Sequence, residues 1–366
     1  MEIKIGKSSS RSLESAVSEA TKELKQPKLI LFYSGVEAFE EYTKRLYRQF
    51  PRSIILGATT FAGFYPQGAK KDALILMGIE NGIECAGGVL EEVDRYPLKY
   101  VDRVETSLRK IDHRQNTVCF EMTTALIQSE ELVLSVLNSV CESAGVPVFG
   151  GSAGDQGRAQ QTKVSFNGVV YEKACVYAMI HNLGGKIHLY RENIYKPTKH
   201  IYKATKVDVR KRLVYELNHK PAAKVVAEAL NIPVTSLQGY IDRCPFGRII
   251  GSDTYIIAGK RVHESQAISF HARIYDNSQI VIMEPDDYRG IIRSTIAQIK
   301  QEVPNPSGAI MINCLARSMF FEANHYLEDF GLEMAEALGD YVGFAGYGEQ
   351  LNQQHFNQTM VVAVFE

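Results

Sequence analysis

Val146-Pro-Val-Phe-Gly150 runs straight into Gly151-Ser-Ala-Gly-Asp155. A short apolar run stopped by glycines reads as a buried strand and its turn. Upstream, Glu131 to Glu142 places Val133, Val136, Leu137 and Val140 on one helical face, and Val118-Cys-Phe-Glu-Met122 is a further apolar strand. Strand, helix, strand and glycine loop in that order describe a β-α-β unit.

The same order occurs elsewhere. Leu29-Ile-Leu-Phe-Tyr-Ser-Gly35 is followed by an amphipathic stretch from Val36 to Phe50, then Ser53-Ile-Ile-Leu-Gly57. Gly57 and Gly150 are 93 residues apart. Ala309-Ile-Met-Ile-Asn313, the helical stretch Ala316 to Leu338, and Asp340-Tyr-Val-Gly343 with Phe344-Ala-Gly-Tyr-Gly348 form a third copy. A looser fourth copy uses Leu213 to Leu217, a helix opened by Pro221, and a second strand ended by Pro245-Phe-Gly247 or by Ile249-Ile-Gly251. Gly150, Gly247 and Gly343 are spaced by 97 and 96 residues. The period is too long for a solenoid. It predicts an α/β protein of two similar halves, each of mixed β-sheet with flanking helices, built from repeated β-α-β-Gly units. The halves are 1–205 and 206–366, joined through a lysine- and arginine-rich stretch from Ile194 to Arg212 that reads as a solvated connector.

Composition fits two ordinary domains. The chain has 366 residues, 45% hydrophobic and 23% charged, with a net charge of −1. A near-neutral chain has no global pull toward nucleic acid or anionic membrane. Six widely spaced cysteines with no C-x-x-C pair read as reduced thiols. Met1-Glu-Ile-Lys-Ile is not a secretory leader, and no apolar run is long enough to span a membrane. The expected location is the cytoplasm, with no membrane and no nucleic-acid partner.

Catalytic motifs are scarce. Metal-protease, phosphate-loop and dinucleotide patterns are missing, as are Cys and His pairs at zinc spacing. Gly150-Gly-Ser-Ala-Gly154 matches a nucleophile elbow by letter, yet Asp155-Gln-Gly-Arg158 continues without helical periodicity. Ser152 and Cys314 as nucleophiles both lack an identifiable base. Cys244-Pro245 reads as a strand cysteine rather than a haem-responsive pair. The expectation is a binding protein, not an enzyme.

Binding is sought in loops that end strands. Gly151, Ser152 and Asp155 offer backbone N–H groups, a hydroxyl and a carboxylate; the alternative is a sharp turn. Between two apolar strands, Tyr347, Glu349, Gln350, His355 and Asn357 crowd hydrogen-bonding groups together. Arg317 stands at a strand-to-helix junction, placed either to clamp a carboxylate or to pair with Glu349.

In combination these motifs resemble the FIST family across essentially the whole chain. Gly150-Gly-Ser-Ala-Gly-Asp155 is similar to the signature loop of the FIST N-terminal domain. Val214-Tyr-Glu-Leu with Pro221-Ala-Ala is similar to the opening of the FIST C-terminal domain. Cys314-Leu-Ala-Arg317, Gly343-Phe-Ala-Gly-Tyr-Gly-Glu349 and Asn357-Gln-Thr359 are similar to its closing motifs. The resemblance implies a small-ligand sensor of intracellular signal transduction, acting through a histidine kinase or other two-component protein, with a homodimer allowed. A subset of the family senses nitric oxide through haem. That implies haem b held by His355 as the iron ligand, with Tyr347, Phe344 and Phe356 as pocket wall and His271 and His181 in reserve. The alternative is a sensor of a small polar metabolite such as an amino acid, without haem, using convergent donors such as Arg317, Tyr347 and the loop glycines; Glu349, Asn357, Gly151, Ser152 and Asp155 are the other candidate ligand-binding residues. One residue separates His355 from Asn357-Gln-Thr359, where many family members have none.

Overall fold

The computed structural model describes residues 1–111, 115–241 and 244–366. His113 therefore lies outside the described residues. Packing divides the chain into two compact units. Unit 1 is Met1–Arg191, Arg293–Gln354 and Met360–Glu366; unit 2 is Glu192–Ile292 and His355–Thr359.

Unit 1 contains three copies of one topology. The first has β1 (Glu2–Ser8), α1 (Leu13–Ala20), β2 (Leu29–Ser34), α2 (Val36–Gln49), β3 (Ile54–Thr59), the hairpin β4 (Gly63–Tyr65) and β5 (Gly68–Lys70), and β6 (Leu74–Asn81). The second repeats it with β7 (Ile83–Glu91), α3 (Val101–Arg109), β8 (Thr117–Thr123), α4 (Glu130–Cys141), β9 (Val148–Ser152), the hairpin β10 (Val164–Phe166) and β11 (Val169–Tyr171), and β12 (Ala174–Asn182). The third starts at β13 (Ile187–Asn193), and the chain then leaves to build unit 2.

Unit 2 holds β14 (Tyr195–Asp208), β15 (Leu213–Leu217), β16 (Lys220–Pro221), α5 (Ala222–Leu230), α6 (Gln238–Ile241), β17 (Phe246–Ile250), β18 (Asp253–Ile257), β19 (Gly259–Val262), β20 (Ile268–Phe270) and β21 (Gln279–Pro285). After α7 (Tyr288–Glu302) the third copy resumes: β22 (Gly308–Cys314), α8 (Leu315–Ala323), α9 (Leu327–Leu338), β23 (Tyr341–Gly346), the hairpin β24 (Gly348–Leu351) and β25 (Gln354–Phe356), and β26 (Thr359–Phe365). In sequence, unit 2 is thus an insertion in the third copy.

The expected β-α-β units are present in these three copies. β2 and β3, β8 and β9, and β22 and β23 each pair in parallel around their helix. β6, β12 and β26 then run antiparallel against the first strand of their own copy, giving mixed sheets. The fourth copy is corrected. β15 pairs antiparallel with β14, β16 and β20, while β17 pairs antiparallel with β18 and β21, so its helix connects no parallel pair. The charged connector is likewise corrected: Ile194 to Arg212 is mostly β14, paired with β15 and β21. Its charges lie on an exposed strand face, as antiparallel sheets allow.

Each copy sends its hairpin away. β10 pairs with β3, β24 with β9, and β4 with β23. The second copy completes the sheet of the first, the third that of the second, and the first that of the third. The ends of the second strands meet in a ring of backbone hydrogen bonds: Gly154 N to Thr59 O at 2.8 Å, Phe61 N to Ala345 O at 3.2 Å, and Tyr347 N to Ser152 O at 3.0 Å. Side chains have no room here. A Cβ on Gly154 would lie 2.4 Å from Ala345 O, and one on Gly346 would lie 2.0 Å from Ser152 O.

Helices cover the outer sheet faces. Phe32 stacks on Phe39 of α2, and the α4 residues Val133, Leu137 and Cys141 bury against Cys119, Val148 and Cys175. In unit 2, α5 packs Val226 and Ala223 with Phe246, Ile268 and Phe270.

Gly346→Ala is expected to destabilise the protein by about 3 kcal/mol or more in chemical denaturation, because backbone rather than a side chain must move. Gly239, in α6, has nothing within 4 Å of an added Cβ. Gly239→Ala should leave stability unchanged or raise it by up to about 1 kcal/mol.

Candidate functional site

The C-terminal ends of parallel strands are where α/β folds place ligands. In the second copy those ends carry polar side chains that are almost wholly buried. On the face toward α4, Glu121 and Thr123 of β8 stand beside Gly150 and Ser152 of β9 and Gln350 of β24. Glu121, Ser152 and Gln350 are exposed by 0%, 0% and 1%, and Glu130 in the first turn of α4 by 4%.

Their hydrogen bonds form two sets. Gln350 Nε2 donates to Ser152 Oγ at 3.1 Å, and Ser152 Oγ donates to Glu130 Oε1 at 3.5 Å. Thr123 Oγ1 donates to Glu121 Oε2 at 2.6 Å, and Cys175 Sγ donates to the same oxygen at 3.5 Å. Glu121 Oε1 is buried with no hydrogen-bond partner. Glu121 takes the room a side chain at Gly150 would need: an added Cβ would sit 2.0 Å from the Glu121 backbone oxygen and 2.8 Å from Oε1. Burial is the main force that pushes the Glu121 carboxyl up to about 8; Thr123 and Cys175 oppose the shift and the charge of Glu130 adds to it. Near neutral pH, Glu121 is therefore largely protonated.

The signature loop has a different task. Asp155 Oδ1 accepts the backbone N–H groups of Gly157, Arg158 and Ala159 at 2.9, 3.0 and 3.3 Å, and Oδ2 accepts those of Gln160 and Gln161 at 2.8 and 3.3 Å. The Tyr347 hydroxyl donates to Oδ1 at 2.6 Å and accepts Ala159 N–H at 2.8 Å. Burial would raise the Asp155 pKa, yet the hydrogen bonds from Tyr347, Gln160, Gln161 and Ala159 outweigh it and hold the carboxyl below its usual value. Burial and the Asp155 carboxylate push the Tyr347 hydroxyl up. Asp155 and Tyr347 thus fasten the loop. Gly151 is a packing glycine: its Cβ position is filled by Ile312 Cγ2 at 2.5 Å and Phe344 Cζ at 3.2 Å.

The third copy supplies further buried polar groups. Arg317 and Glu349 have zero exposure. Arg317 lies in the first turn of α8 with its guanidinium 5.1 Å from the Phe321 ring and 5.4 Å from the Phe330 ring. A cation at a helix N-terminus is disfavoured by the dipole. Asn313 Nδ2 donates to Ser318 Oγ at 2.7 Å, and Asn313 Oδ1 is buried without a partner. Phe344 is buried against Tyr33, ring centroids 5.0 Å apart.

His355, Phe356 and Asn357 belong to unit 2. His355 is 2% exposed in β25, not on a loop, and its Nε2 lies 3.3 Å from the backbone oxygen of His271. Phe356 packs on Tyr255 with centroids 5.9 Å apart, and Asn357 Oδ1 accepts Ala258 N–H at 3.2 Å. An axial imidazole needs an uncommitted ring nitrogen facing a pocket of haem size. In the structure a His355 ring nitrogen faces the backbone carbonyl of His271, and Tyr347 and Phe344 belong to unit 1. Among the described residues, no three His, Cys, Asp or Glu side chains group as metal ligands, and no helix is long and apolar enough to cross a membrane.

Sequence reasoning missed Glu121, Glu130 and Asn313. The signal was there: Glu121 and Asn313 interrupt otherwise apolar strands, and a charge inside such a run is buried if the strand is.

A carboxyl whose pKa is raised by folding stabilises the protein fully below its unfolded value and loses that contribution as pH rises through the folded one. Melting temperature should fall as pH rises from about 4.5 to about 8. Glu121→Gln should flatten that slope.

The comparisons agree with the repeats and motifs. The family model described as the FIST N domain matches residues 28–220, and that described as the FIST C domain matches 222–352. The uncharacterized protein MJ1623 of Methanocaldococcus jannaschii is similar, 24% identical over 385 residues that span 92% of this chain and 73% of the relative. The chain belongs to the FIST family of signal-transduction sensory domains.

Proposed function

We propose that the protein is a ligand-binding sensor of a small polar metabolite, received by the buried polar groups of unit 1 without turnover. The observation that carries this reading is Glu121 Oε1, fully buried and without a hydrogen-bond partner. An orphaned buried polar group costs about 1–3 kcal/mol, and folds keep such groups where a ligand, ion or strain accounts for them. Gln350, Ser152 and Glu130 form a second hydrogen-bonded set on the neighbouring strands, while Arg317 and Glu349 place opposite charges in the adjoining copy. An amino acid has both donor and acceptor groups with which to meet Glu121 Oε1. Ligand binding at strand ends shared by two copies would alter the hairpin exchange, and a histidine kinase or other two-component partner would read that change.

The test is a thermal-shift and calorimetric screen of amino acids and related polar metabolites. One class should raise the melting temperature of the parent protein. Its affinity should drop by about tenfold or more in Ser152→Ala and Glu121→Gln, where one buried hydrogen-bonding group is lost. Unchanged affinity in both variants would place the ligand elsewhere. Haem titration runs alongside. A Soret band in the parent that disappears in His355→Ala would overturn the reading in favour of a haem sensor.

A further inference from the structure

Away from the signature loops, the N-terminal ends of β2 and β3 carry an uneven charge distribution. Two clefts of about 760 Å³ and 640 Å³ meet there and share Gln49. Lys25, Lys28 and Arg52 line the first, and Lys22, Arg45 and Arg48 line the second. The lysines follow α1 at intervals of three, and the arginines lie along the last turns of α2 and just beyond it. They form two cationic rows with Gln49 between them.

Acids do not balance the rows. Glu80 and Glu14 alone line the clefts. The Glu80 carboxylate already accepts the backbone N–H groups of Lys25 and Gln26 at 2.7 and 2.9 Å. Arg45 reaches Glu41 only at 3.8 Å, and Lys28 Nζ donates to the backbone oxygen of Ile83 at 3.0 Å. Five of the six cations are exposed.

We propose that this trough docks an extended acidic segment of a partner protein. Like charges held close on a concave surface focus a field that attracts a polyanion and speeds its encounter. Gln26, whose side chain lines the first cleft, adds an amide that can hydrogen-bond an extended backbone, while Gln49 is held by Thr21 and Asn81 by Glu2. Single-stranded nucleic acid is less well served, because Phe50, the one aromatic ring in the lining, is only 8% exposed and presents no stacking face. The inference is independent of the ligand reading above, since it involves neither the signature loop nor Glu121.

The probe is a fluorescein-labelled oligoglutamate peptide, titrated with the full chain and followed by anisotropy. Saturable binding that weakens steeply with salt is expected. The triple variant Lys22→Glu, Arg48→Glu, Arg52→Glu should bind at least about tenfold more weakly, and the milder Arg48→Gln should also weaken it. A control triple in unit 2, Lys220→Glu, Lys260→Glu, Arg261→Glu, changes net charge equally and should stay within about twofold of the parent. Absence of saturable binding, equal losses in both triples, or tighter binding of an oligothymidylate of the same charge would each overturn the proposal. Unchanged melting of the first triple shows that it folds.

Discussion

Three backbone hydrogen bonds, from Gly154 to Thr59, from Phe61 to Ala345 and from Tyr347 to Ser152, close a ring through the three copies of unit 1. Each copy lends its hairpin to one neighbour and receives one from the other. A lone copy would leave the outer edge of its second strand unpaired, and unpaired edges are costly or sticky. The ring also explains the signature glycines. Gly154 and Gly346 stand where the backbone of the next copy arrives, so any side chain would push the copies apart. The Gly-rich loops that look like ligand cradles are first of all joints. Asp155 and Tyr347 lock one of these joints by holding the segment from Gly157 to Gln161.

The same joints gather the buried polar groups. Ser152 and Gly346 end the second strands of two copies, and Gln350 crosses from the third copy to reach Ser152. A ligand that satisfied Glu121 would act on residues whose register is set by the exchange of β24 onto β9. Sensing and folding would then use the same few hydrogen bonds. Unit 2 is built differently, as an antiparallel sheet entered near the end of β13 and left within α7, and a second short passage through it carries His355 and Asn357.

Much of the first level was legible in the sequence. Leu29 to Ser34, Val118 to Met122 and Ala309 to Asn313 read as buried strands because continuous apolar runs admit few alternatives. Their helices were legible from three-and-four spacing. Partner choice was not, because pairing is non-local: nothing in Gly63 to Lys70 says that its strand joins β23 rather than β3. The fourth copy misled for the same reason, since Leu213 to Leu217 and Phe246 to Ile250 have the right composition but the wrong neighbours. For the site, Arg317, Glu349 and Ser152 were picked out by type, but their complete burial was not visible. His355 read as a loop residue because glutamine and asparagine surround it, yet it lies in a strand. Glu121 was hidden inside a run treated only as apolar.

The central claim is that the three copies hold one another through the ring of exchanged hairpins. Native-state hydrogen exchange tests it at single amides. Phe61, Gly154 and Tyr347 should exchange together, with the same free energy as the strands β3, β9 and β23 they terminate, because opening one joint releases the others. If one of the three amides opens independently at a much lower free energy while the other two stay protected, the ring is not the element that holds unit 1 together.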